Sequence, residues 1–497
     1  MTEKTETLLI DDLMAQSGVG FGTSGARGLA EAMTDRVCFA YTTGFLQYLE
    51  RQGTIHPGDA VALAGDYRPS TPRIMAAACR AIAHLGYRPV NCGAVPTPAV
   101  AAYGISEGVA SLMVTGSHIP DDRNGIKFNL PAGEILKADE AGIRAQQVCL
   151  PLGLFAEDGG FVHPEPLPAE ESGAYRRYLL RYLDFFPAGC LEGRRILLYE
   201  HSTVARAAFR ELLEGLGAEV IGRGFSEVFV PVDTEAIRPE DVALARQWAA
   251  EQSVDAIVSA DGDGDRPLVA DETGEWFRGD IAGVLTARHL DADRVVTPVS
   301  SNTALELSGW FAGTHRTRIG SPYVIEGMAA AEAAGGRRVV GFEANGGFMT
   351  WQPLECDGRV LPALPTRDAA IVVLGLLLAA RSSGHPLSEL RQSLPQRFTA
   401  SDRLKNFPTD LSRERLRALR DGGNAAIEAT FPWLGPVREV DDTDGLRISF
   451  VQGDIVHLRP SGNAPELRCY SESASEAGVQ ALNERCLDIL EGWRAGV

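Results

Sequence analysis

No two cysteines in this chain have the C-x-x-C spacing of a metal or redox site, and the eight present are scattered over 497 residues. That excludes a disulfide scaffold and reads as reduced, mostly buried thiols of a cytoplasmic protein. The opening MTEKTETLLIDD has no basic stretch leading into an apolar run, so no secretory signal is expected. No apolar run approaches the ~20 residues that a bilayer crossing needs. The longest, AIVVLGLLLAA at 370–380, reads as a buried helix. Neither common nucleotide loop, G-x-x-x-x-G-K-[ST] or G-x-G-x-x-G, is present. Positive charge is also short: the formal net charge is −19. Such a surface repels nucleic acid and anionic membranes, so neither is an expected partner. An anionic substrate would need a local cluster of arginine and lysine.

What is present is α/β punctuation. A single core stops growing near ~250–300 residues, so several domains are expected. Strands VALAG and GVASLMVTG bracket a helix TPRIMAAACRAIAHLG, a strand RPVN and a short helix from Pro98. The rhythm restarts at RRILLYE and again at RVVTPVSS, giving three α/β units. The helix around 366–382 and a linker SSGHP lead into a tail of short strands (LRISFVQ, DIVHLRPS, LRCYSES) and a last helix, which reads as α+β. The expected partition is 1–155, 156–265 and 266–385 for the α/β units and 386–497 for the tail.

Four kinds of loop carry chemistry. In DAIVSADGDGDRP a core strand runs into Asp261, Asp263 and Asp265, spaced by glycines. Three carboxylates so mounted can converge on one hard cation, and Mg²⁺ favours such oxygen ligands. A calcium hand counted from Asp261 would put Glu272 at its twelfth position, but Arg266 stands where that loop needs glycine. In VTGSHIPDDRNGIK, Ser117 follows a strand end beside His118, where a hydroxyl can serve as nucleophile or phosphoryl carrier. A phosphoserine there would itself ligate Mg²⁺. Lys127, across a turn, is a candidate general acid/base. FGTSGARG exposes Arg27 among glycines, and LRPSGNAPELR gathers Arg459, Ser461, Gly462, Asn463 and Arg468. Backbone N–H groups, a hydroxyl and guanidinium forks make a phosphate cradle. In GFEANGGF, Glu343 and Asn345 are short polar reaches suited to sugar hydroxyls.

Together these motifs, in this order, resemble the α-D-phosphohexomutase family over nearly the full length. The resemblance implies a four-domain α/β architecture: three α/β domains and a smaller C-terminal α+β domain around a central cleft. It implies interconversion of hexose 1-phosphates and 6-phosphates, with a hexose 1,6-bisphosphate as intermediate and activator. Ser117 would be the phosphorylated serine and, with Asp261, Asp263 and Asp265, would hold Mg²⁺. Lys127 matches the family's general base candidate, and His118 follows the serine within its motif. Arg27 and Arg266 would flank the transferring group, and Glu343 and Asn345 would read hydroxyls. Arg459, Ser461, Gly462, Asn463 and Arg468 would grip the other phosphate. The FEANGG and RPSGNAPELR segments are most like those of bacterial phosphomannomutases. Mannose phosphate is therefore the expected substrate; glucose phosphate, alone or with mannose, is the alternative, and glucosamine phosphate is disfavoured. A phosphatase and a non-catalytic sugar-phosphate binder are the competing classes. A monomer or weak homodimer is expected. Three departures bear on the substrate: Ile119 for the usual asparagine, Asn345 for the usual serine, and Ser321 in a loop that varies between subfamilies and is expected to influence the preference at C2.

Overall fold

The computed structural model describes residues 5–22, 25–461 and 465–496. Three α/β units repeat one strand order. In the first, Ala60–Gly65 lies between Arg88–Asn91 and Ala110–Val114, all parallel, and Arg123–Leu130 returns antiparallel beside Ala110–Val114. In the second, Arg195–Tyr199 lies between Glu219–Arg223 and Ala256–Ala260, and Pro267–Ala270 returns antiparallel. In the third, Arg294–Pro298 lies between Gly313–Thr317 and Val339–Phe342, and Phe348–Thr350 returns antiparallel. The strands are apolar on both faces because helices cover both sides, as parallel sheets require.

This shared order places the loops. In each unit the turn between the third and fourth strands projects from the carboxyl end of the parallel strands, where α/β sheets bind ligands. Those three turns are the serine loop, the aspartate loop and the glutamate loop. The strand Pro267–Ala270 completes the second sheet, so we place the division between the second and third units after Ala270, beyond position 265.

The apolar run became the helix Ala369–Ser383, buried along most of its length. Asp368 caps it by accepting from Ala370 N at 3.0 Å, and Gly384 ends it in the left-handed region. No helix among the described residues is long and apolar enough to cross a membrane. After the strand Arg294–Pro298 comes only a single helical turn, Ala304–Leu307, whereas Asp35–Arg51 and Gly279–His289 are full helices. The tail is a five-stranded antiparallel sheet flanked by Thr409–Thr430 and Glu476–Ala495. One apolar core runs continuously through the first three units, and the tail has a separate one around Phe407, Phe431, Phe450 and Leu490.

Candidate active site

Ser117 is buried and held at φ 57°, a left-handed conformation that non-glycine residues rarely adopt. Its surroundings enforce it. Ser117 N donates to Thr115 Oγ1 at 2.7 Å, and Ser117 O accepts from Arg68 Nη2 at 2.7 Å. Arg68 also donates to Pro120 O at 2.8 Å and pairs with Asp66 at 3.0 Å, both side chains fully buried. Asp66 Oδ2 in turn accepts from Thr115 Oγ1 at 2.7 Å. Gly116 is needed here, since a Cβ would lie 2.6 Å from the Arg68 guanidinium carbon. This clamp presents Ser117 Oγ to Asp261 Oδ2 as a donor at 2.6 Å.

Asp261, Asp263 and Asp265 are completely buried, with ligand oxygens all within 4.8 Å of one another. Lys127 Nζ donates to Asp263 Oδ2 at 2.6 Å and to Asp265 Oδ2 at 2.5 Å. Thr97 Oγ1 donates to the same Asp263 oxygen at 2.6 Å. Burial would raise the Asp263 carboxyl, but Lys127 and Thr97 hold it well below the usual range. Asp265 is likewise lowered: burial would raise it, but Arg367, Lys127 and Arg266 together outweigh that. Asp261 goes the other way: burial and then the charges of Asp263 and Asp265 push it well up. Asp263 Oδ1 and Asp265 Oδ1 are buried without a hydrogen-bond partner. Two orphaned anionic oxygens beside a third carboxylate and a serine hydroxyl fit a small hard cation, with Ser117, Asp261, Asp263 and Asp265 as its ligands.

Positive charge gathers around this centre. Arg266 Nη1 lies 3.0 Å from His118 Nδ1, which is 3.3 Å from Ser117 Oγ. Burial, then Arg266 and Arg27, push His118 well below its ordinary pKa, so it is neutral near pH 7. Arg27 pairs in register with Gly125, one turn of the pleat from Lys127. Burial and the neighbouring Arg266 bring it down to about 10. Arg367 joins two loops, donating through Nε to Asp265 Oδ2 at 3.1 Å and through Nη1 to Glu343 Oε2 at 2.9 Å.

Residues 18–147 match phosphoglucomutase/phosphomannomutase alpha/beta/alpha domain I, 278–398 match domain III, and 408–489 match the C-terminal domain. A phosphomannomutase of Sinorhizobium fredii is 45% identical over 95% of this chain and 99% of its own. One of Salmonella muenchen is 42% identical over 97% of each. The chain belongs to the phosphoglucomutase/phosphomannomutase family. The fold agrees: a family protein of known structure from Burkholderia thailandensis superposes with a TM-score of 0.71 at 20% identity, covering 96% of this chain and 98% of that one.

The family's other motif positions fall as follows. Asn345 Oδ1 accepts from Gly347 N at 2.9 Å, closing an Asx turn, and its backbone oxygen accepts from Thr234 Oγ1 at 2.8 Å. Its amide nitrogen has no partner among the described residues. Arg459 and Arg468 stand directly opposite each other on paired antiparallel strands. Like charges so placed are unfavourable unless an anion lies between them. Arg459 Nε also donates to Asp444 Oδ2 at 2.9 Å, and Ser461 N closes the hairpin on Glu466 O at 2.8 Å. Gly462 and Asn463 lie outside the described residues. Ser321 departs from its expected role. It is completely buried at the start of the helix Ser321–Ala333, and its hydroxyl donates to Glu134 Oε2 at 2.6 Å. A hydroxyl sealed into a contact between the first and third units is not available to a sugar.

Sequence reasoning missed Arg68, Thr97, Arg367 and the segment 233–235. Arg68 alone had a local signal, the Asp66-x-Arg68 pair at a strand end in GDYRP. The others are recruited from other units, and no spacing marks them.

Proposed function

We propose that this chain is a phosphomannomutase, interconverting mannose 1-phosphate and mannose 6-phosphate through phospho-Ser117. The observation that carries this reading is Ser117 Oγ at 2.6 Å from Asp261, beside two carboxylates whose outer oxygens are orphaned. The two relatives called phosphomannomutase, matched over nearly their whole length, support mannose as the hexose. Bound by the aspartates and the serine, Mg²⁺ would offset negative charge on the transferring phosphoryl group.

The residues divide the remaining work. The bond from Ser117 Oγ to phosphorus breaks as a bond forms to the free sugar hydroxyl, and the hydroxyl proton passes to a base. Lys127 is the candidate. Its amine donates to Asp263 and Asp265, two of the carboxylates that would hold the cation, so the base would stand beside the transferring group. Arg27 and Arg266 stabilise the equatorial oxygens, and neutral His118 adds no charge beside them. The resulting hexose 1,6-bisphosphate turns over and returns its other phosphoryl group to Ser117. Glu343 and Asn345 would read hydroxyls common to both orientations and to glucose, so glucose phosphate is the expected second substrate. Arg459, Ser461 and Arg468 would hold the distal phosphate.

A coupled assay with mannose 1-phosphate and catalytic hexose 1,6-bisphosphate tests this, together with intact mass. The wild type should turn over and carry one phosphoryl group, and Ser117→Ala should lose activity by a factor of about 10⁴ or more, as when a covalent carrier is removed. Full activity in Ser117→Ala would sink the phosphoserine mechanism, and release of inorganic phosphate without isomerisation would favour a phosphatase.

A further inference from the structure

The segment Asp233–Thr234–Glu235 belongs to the second unit, between the strand Glu219–Arg223 and the helix Pro239–Glu251. Three contacts fix its course. Asp233 Oδ2 lies 3.9 Å from His118 Nε2, beside the phosphoserine. Thr234 Oγ1 donates to Asn345 O at 2.8 Å, on the sugar loop. Glu235 N donates to Asp233 Oδ1 at 3.0 Å, bending the chain between those anchors. Glu235 is thus held between the serine loop and the glutamate loop by bonds that do not use its own side chain.

That side chain is exposed to solvent, and it has no hydrogen-bond or ion-pair partner among the described residues. It is nevertheless enclosed by protein, as a group lining a water-filled cleft is. The charges acting on it come from Arg266, Asp233, Glu343 and Arg278. It acts in turn on Arg468 and Tyr470 of the C-terminal unit. Arg266 marks the transferring end of the site, and Arg468, opposite Arg459, marks the distal-phosphate end. A hexose phosphate spanning those ends carries its ring past Glu235.

A free carboxylate here is out of place if the ligand is only an anion, because it would repel both phosphates. What a hexose offers it instead is a hydroxyl donor. Glu343 Oε2 is bound to Arg367 and Asn345 spends its carbonyl on its own turn, so what they keep serves the hydroxyls that mannose and glucose share, while Ser321 is sealed against Glu134. Of these four side chains, Glu235 is the one with no hydrogen-bond or ion-pair partner among the described residues. We propose that Glu235 is a specificity-determining residue that accepts a hydrogen bond from the hexose hydroxyl at C2, where mannose and glucose differ; this rests on the mutase reading above.

The test uses the full-length Mg²⁺-loaded enzyme, Glu235→Gln and Glu235→Ala, with mannose and glucose phosphates assayed from both the 1-phosphate and the 6-phosphate sides. The carboxylate is exposed and its neighbours keep their anchors, so both variants should fold and still be phosphorylated on Ser117 by hexose 1,6-bisphosphate. The expected result is a change of about 10-fold or more in the mannose-to-glucose ratio of kcat/KM, mostly in KM and larger in Glu235→Ala, as when a site built for a hydroxyl loses its partner. Equal losses for both sugars, or no change in either variant, would overturn the assignment while leaving the mutase reading intact. A wild type that is neither phosphorylated on Ser117 nor active on either sugar would overturn both.

Discussion

Asp261 stands apart from its two neighbours because burial and their charges act on it with only the more distant Arg266 to offset them. Its Oδ2 has the Ser117 hydroxyl at 2.6 Å and Arg266 Nε only at 3.9 Å, while Asp263 and Asp265 both hold Lys127. Its Oδ1 accepts from the Asp265 and Arg266 N–H groups at 3.2 Å. An asparagine can keep those bonds, turning its amide nitrogen toward Ser117 Oγ, and removes a buried charge repelled by Asp263 and Asp265. Asp261→Asn should therefore stabilise the metal-free protein, by about 1–3 kcal/mol on the scale of replacing an unpaired buried charge, while abolishing tight Mg²⁺ binding and turnover. Thermal melts in chelator alongside a Mg²⁺ titration would show this, and a lower melting temperature in chelator would contradict it.

At the scale of elements, the site depends on how closely its supporting pieces approach. The helix Gly279–His289 begins against the turn of the glutamate loop. A Cβ at Gly279 would lie 2.2 Å from Gly346 N and 2.3 Å from Asn345 C, both backbone atoms that cannot swing aside. Gly279→Ala must push the turn that carries Glu343 and Asn345. We expect destabilisation of about 1–3 kcal/mol from overpacking, and a KM for hexose phosphate raised about 10-fold because displacement by a fraction of an ångström spoils bound geometry. Steady-state kinetics would check it, and a wild-type KM would mean that the loop tolerates the shift.

At the scale of the whole molecule, two buried neutral histidines lie behind loops of different units. His201 Nε2 lies 2.8 Å from Ala260 O, immediately before the aspartates, and His457 Nε2 lies 2.6 Å from Asp444 O, beside Arg459. The Nδ1 of each is buried without a partner. Burial brings both down to about 4, against ~6.5 in an unfolded chain. Between those values the unfolded chain binds protons that the folded one refuses, so stability falls as pH drops from ~6.5 toward 4 and the histidines add no further loss below that. Each contributes up to about 3 kcal/mol of acid sensitivity. Melting curves from pH 7 to pH 4 should flatten in His201→Gln and His457→Gln, since glutamine can still donate to the carbonyl, with the His457 effect confined to the C-terminal unit. Slopes unchanged in both variants would refute the assignment.

The residues determined by themselves which chemistry each loop carries. Three aspartates after a core strand, a serine at a strand end, and arginines among glycines are local facts, and the strand order follows from apolar runs and the helices between them. The family and the four-unit architecture were legible for that reason. The partners of those loops were not. Lys127 reaches Asp263 across 136 residues, Arg367 reaches Asp265 across 102, and Ser321 is taken by Glu134 across 187. Hydrophobic periodicity locates a side chain along its own strand or helix, but which distant side chain it meets is set by how separate sheets pack. That packing brought Arg68 beneath Ser117, withdrew Ser321 from the sugar, and set Glu235 without a partner between two loops from other units.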